Sequence, residues 1–148
     1  MLPYRTEPKS SMFPPPTRWK QRAAVDPERE YVAFTSCFFL NSVRRVPAFV
    51  ARSRHIMKQV DTAPGVVGWS LGGNLFKLEF YTLSAWLDAE SLRRFVRDDN
   101  HLVALHEFER DLRRKSIFVY YKVLGRELPL SWKDALARQV RSDQQGRK

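Results

Sequence analysis

Cysteine is almost absent from this chain: Cys37 is the only one among 148 residues. A single thiol excludes an internal disulfide and every multi-cysteine metal site. Glycine is also scarce, at six residues. Gly68 and Gly72-Gly73 are too sparse for a phosphate cradle, and no P-loop, GxGxxG or Ser-His-Asp order stands out. No apolar run approaches the ~20 residues that a membrane span needs. Residues 1–30 carry Arg, Lys, Glu and a proline triplet where a secretory signal would carry an apolar core. These features lead us to expect a cytoplasmic protein with no membrane span. The length suits one domain with a real core. A composition of 43% apolar and 28% charged residues is ordinary for a globular chain.

The net charge is +10, so nucleic acid has to be weighed as a partner. The charge is dispersed: residues 1–30 carry +2, residues 31–125 carry +5 and residues 126–148 carry +3. No dense basic block marks a dedicated tail.

Residues 1–30 read as a Pro-rich basic tail, with Trp19 available to anchor it, because its prolines neither donate to a ladder nor sit inside a helix. Tyr31–Leu40 reads as a strand, rich in aromatic and β-branched residues and apolar or small on both faces. Val46–Val60 reads as a helix with Pro47 in its first turn and an apolar stripe through Phe49, Ile56, Met57 and Val60. Pro64-Gly65 ends it. Val66–Leu71 and Phe80–Leu87 read as a hairpin, with Gly72-Gly73-Asn74 as the turn signal. Asp88 caps a helix that presents Leu92, Phe95 and Val96, and a second helical segment is expected over about 101–113. Ile117–Leu124 is the fourth strand. Residues 126–148 hold a short terminal helix, capped by Ser131, and a polar tail.

The domain at 31–125 therefore has the order β-α-β-β-α-β. That is the α+β ferredoxin-like arrangement, a four-stranded antiparallel sheet with its helices on one face. The strands offer apolar residues to both sides, so the second face needs a partner. Packing two such sheets face to face in a homodimer is the simplest closed solution.

The stretch Pro64-Gly65-Val66-Val67-Gly68-Trp69-Ser70-Leu71, followed by Phe80-Tyr81-Thr82-Leu83-Ser84-Ala85-Trp86, Leu92-Arg93-Arg94-Phe95-Val96 and His101, resembles the dimeric α/β-barrel superfamily. The likeness covers about residues 31–125. It points to antibiotic-biosynthesis monooxygenase-like and spheroidene monooxygenase-like proteins. Tyr81 stands where Trp is commoner. The loop Gly72–Phe76 lacks the Arg often seen in relatives, which puts any anion site built on it in question. The resemblance implies a dimeric α/β barrel with a pocket between the sheet and helices of each subunit. It also implies a monooxygenase-like function on a hydrophobic aromatic or polyene small molecule. That superfamily includes cofactor-free and haem-binding members, so the cofactor is either none or haem.

His101 is the sharpest candidate, as a haem ligand or proton shuttle, or in the bland reading as a cap on the turn before it. His106, five residues on, points about 140° away round a helix and does not share a metal with it. His55 sits among Arg52, Arg54 and Lys58, as on a solvated face. Trp86 and Trp69 line the expected pocket or fill a core. Ser84, Thr82, Ser70 and Tyr120 supply its polar groups. Cys37 reads as a buried, inert thiol. The stretch Lys77–Thr82 lacks the glycines of an RNA-recognition signature, and Glu79 would repel phosphate. Three function classes stay open: a monooxygenase-like enzyme, a non-catalytic dimeric binding module and, least supported, a basic nucleic-acid-associated protein.

Overall fold

The computed structural model describes residues 12–97, 106–107 and 109–146. The strands are β1 (Lys20–Gln21), β2 (Glu30–Phe39), β3 (Val66–Asn74), β4 (Glu79–Trp86) and β5 (Ile117–Leu124). The helices are α1 (Val46–Asp61), α2 (Ala89–Arg97) and α3 (Trp132–Gly146). The sheet runs β1-β3-β4-β2-β5, and every neighbouring pair is antiparallel. It is open, and the fold is α+β ferredoxin-like. Among the described residues no helix is long and apolar enough to cross a membrane.

The local signals act as chemistry requires. Asp88 Oδ1 accepts from the Ser91 backbone N–H at 2.8 Å and starts α2. Ser131 Oγ accepts from the Asp134 N–H at 3.2 Å and starts α3. Gly65 takes φ 86°, a left-handed value that favours glycine. The expected turn at Gly72-Gly73-Asn74 is corrected: β3 continues through both glycines. The chain reverses over 75–78, where Asn74 Oδ1 accepts from the N–H groups of Phe76 and Lys77 at 3.0 and 3.2 Å. Gly72 serves close approach instead. A Cβ there would lie 2.9 Å from Met12 Sδ.

Period-2 alternation divides the sheet into two faces. Phe34, Ser36 and Phe38 of β2 share one with Thr82, Ser84 and Trp86 of β4, beneath α1 and α2. Tyr31, Ala33, Cys37, Leu83 and Tyr121 lie on the other. We expected that second face to be bare. It is not: α3 packs Trp132, Ala135 and Leu136 against it, so helices cover both faces. Ala33, Leu83, Ala85 and Ala135 are all fully buried within one chain. The bare face that motivated a sheet-to-sheet homodimer is therefore absent.

The reading of 1–30 as a tail also changes. Residues 17–22 add an edge to the sheet: Lys20 pairs with Trp69 and Gln21 with Gly68. Thr17 N–H donates to Leu71 O at 2.8 Å, and Arg22 N–H to Val67 O at 2.7 Å. Gly68 makes room for the Trp19 indole, which a Cβ would approach to 2.4 Å.

Gln139 on α3 carries the one polar side chain of that helix that is buried among the described residues. Its Nε2 donates to Thr35 Oγ1 at 2.8 Å and to Ser36 O at 3.2 Å. Thr35 Oγ1 in turn donates to Thr82 O at 2.8 Å. Gln139→Ala is expected to lower unfolding free energy by about 1–3 kcal/mol, because it strips a partner from buried groups. Gln144→Ala, at an exposed position of α3, is expected to leave stability unchanged. Urea denaturation of the two variants checks this.

Candidate functional site

An apolar opening lies between the sheet and helices α1 and α2. Its cavity volume is about 70 Å³ and it opens to solvent, tight beside the roughly 300–1,000 Å³ of an ordinary small-molecule site. Ile56, Met57 and Val60 of α1 form one wall, and Leu92, Phe95 and Val96 of α2 form the other. Phe34, Phe38, Trp86 and Phe118 provide the floor. Trp86 is 1% exposed and lies 5.4 Å from the Phe95 ring, centroid to centroid. Among the described residues no charged one lines this cleft.

Its polar groups are hydroxyls, and the β2–β4 register gathers them. Ser36 stands opposite Thr82, and Phe34 opposite Ser84. Ser36 Oγ and Thr82 Oγ1 share a hydrogen bond. One hydroxyl donates, and the O–H of the other is not used in that bond. Ser84 Oγ accepts from Trp86 Nε1 at 2.9 Å, a bond that also leaves the Ser84 proton uncommitted. The floor can thus offer O–H donors to an oxygen atom of an apolar ligand. Ser53 adds a fourth hydroxyl from α1.

Several expected residues fall elsewhere. Trp86, Thr82 and Ser84 line the cleft. Trp69 does not. Its Nε1 donates to Asp61 Oδ1 at 2.8 Å at the end of α1, and Lys20 Nζ lies 4.5 Å from its ring centroid. Tyr120 is 58% exposed at the outer margin and packs on Phe34 with centroids 4.9 Å apart. Ser70 faces α3 and bonds Thr17 O at 2.7 Å. His55 and His106 are exposed. His101 and most of the expected 101–113 helix lie outside the described residues. Cys37 is buried on the far face, where burial pushes its thiol pKa far up, so it stays protonated.

Ser36, Ser53, Phe34, Phe38 and Phe118 were not anticipated. Ser36 left a signal in the sequence: it is the one hydroxyl in the series Val32, Phe34, Ser36, Phe38 that shares a strand face.

No family model matches this chain, and no curated protein matches it. Solved structures do. SnoaB, a cofactor-independent oxygenase from Streptomyces nogalater, superposes with a TM-score of 0.56 at 16% identity. The match covers 67% of this chain and 97% of that one. The chain has the fold of the antibiotic-biosynthesis monooxygenase-like proteins. An antibiotic biosynthesis monooxygenase matches with a TM-score of 0.58 at 11% identity, over 63% of this chain and 98% of its own. Rv0793 from Mycobacterium tuberculosis gives 0.57 at 13%, over 62% and 92%. At these identities the likeness is one of fold, and roughly a third of this chain lies outside each match.

The Trp69 contact makes a pH prediction. Hydrogen bonds from Trp69 and from Arg22 hold the Asp61 carboxyl below the usual carboxylate range. A folded-state pKa that is depressed adds stability above the unfolded value of about 3.9. That contribution is lost as pH falls through the folded pKa. Asp61→Asn is expected to flatten this part of the acid limb. Urea midpoints measured from about pH 5 downward check it.

Proposed function

We propose that this monooxygenase-like protein binds a flat, apolar molecule bearing a phenol or ketone oxygen, in the cleft under α1 and α2. The observation that carries the reading is the pairing of an uncharged aromatic floor with hydroxyls that have protons to give. Apolar walls provide affinity through area removed from water, at about 25 cal/mol per Å². Ser84 and the Ser36–Thr82 pair orient the ligand through its oxygen. Nothing in this reading calls on a second copy, because the cleft is walled within one chain.

Oxygenation without a cofactor draws its electrons from the substrate and needs a proton acceptor. His101 is our candidate for that role. Among the described residues no imidazole or carboxylate lines the cleft, and this favours a second reading, a binding protein that does no chemistry. Among the described residues no imidazole or thiolate is offered to the iron of a haem, and His101, the candidate ligand, lies outside them. No step is drawn through one.

Calorimetric titration with 1-naphthol tests the binding. Ser84→Ala and Thr82→Val are each expected to weaken it about tenfold, the worth of one hydrogen bond to a polarised oxygen. Unchanged affinity in both variants removes the proposed orientation. Added hemin is expected to produce no stoichiometric Soret band. A band that disappears in His101→Ala would overturn the haem-free reading.

A further inference from the structure

A second cleft adjoins the first, and the two meet at Phe38, Ser53 and Thr82, which line both. It has a cavity volume of about 310 Å³, open to solvent, between α1, the glycines of β3 and the segment Phe13-Pro14-Pro15. That segment is a strap tied at both ends. Phe13 N–H donates to Gly73 O at 2.9 Å and its carbonyl accepts from Leu75 N–H at 3.0 Å, while Thr17 is bonded to Leu71. Between the ties Pro14, Pro15 and Pro16 have no N–H to give. The strap therefore bridges the sheet without zipping against it, and space is left beside it.

Arg54 follows Ser53 on α1 and, among the described residues, is the one charged residue lining either cleft. It is exposed, and it makes no ion pair among the described residues. We propose that the full-length ligand is an extended apolar carboxylate. Its chain passes from the inner cleft by Ser53 and Thr82 into the outer one, where Arg54 binds the carboxylate. The inference rests on the binding reading above and adds the outer site, the acid group and the ligand's length. A guanidinium beside apolar walls favours a single anionic end over a neutral one.

The test uses the whole chain and three probes: cis-parinaric acid, its methyl ester and 1-naphthol. The acid is expected to bind about tenfold tighter than the ester. Arg54→Gln is expected to remove that margin without altering naphthol binding. Lys58→Gln removes the same charge from an exposed position of α1 outside both clefts and is expected to leave acid affinity as it was. If naphthol binds but acid and ester bind alike, the acid site is overturned and the inner-cleft reading stands. Equal losses in Arg54→Gln and Lys58→Gln would reduce the effect to net charge and overturn it too. If neither naphthol nor the acid binds, both readings fall.

Discussion

Strand β2 sits in the middle of the sheet and carries apolar or small side chains on both of its faces. Successive side chains point to opposite sides, so neither face can be left to water without exposing aromatic surface. The remaining architecture answers that constraint. Helices α1 and α2 close over Phe34 and Phe38, and α3 closes over Ala33 and Cys37. Residues on either side of the strap complete the second cover, with Trp19 seated on Gly68 and Met12 against Gly72. A second copy was the expected answer to the same problem, and the chain solves it with its own ends.

The candidate site follows from how the first face is covered. Two helices laid over a twisted sheet leave a gap between them, and the floor of that gap is aromatic. Hydroxyls in such a floor are costly unless bonded. Ser36 with Thr82, and Ser84 with Trp86, meet that requirement pairwise. Each bond consumes one donor for one acceptor, so donors are left over. On the far face Gln139 and Thr35 spend theirs on one another and on backbone, while Trp19 Nε1 and the Tyr121 hydroxyl are buried without a hydrogen-bond partner. One face is thus packed shut, and the other retains both space and hydrogen-bonding capacity.

Much of this was readable beforehand. Tyr31–Leu40 and Ile117–Leu124 announce strands by composition, and both form within a residue of the expected bounds. Asp88 and Ser131 cap the helices they were expected to cap. Gly72-Gly73 misled because glycine serves turns and close approach equally well, and a local reading sees only the turn. Trp69 misled for a related reason: it sits on the same sheet face as Trp86 but is held at the end of α1 by Asp61. Ser53 is a lone serine with no local signature, and the alternation around Ser36 marks a strand face without naming its partner. Both matter only through what lies opposite them.

By itself the sequence determined the period of each element, its caps, and the order that makes the fold ferredoxin-like. These are local properties, set by side-chain alternation and by groups a few residues apart. Only the tertiary structure decided which cover lies on which face, and therefore that α3 occupies the surface where a partner was expected. It alone brought Ser36 to Thr82, and set Arg54 and the strap on the rim of one cleft. Those residues lie tens of positions apart, and their placement depends on strand register and helix packing, which no local pattern encodes.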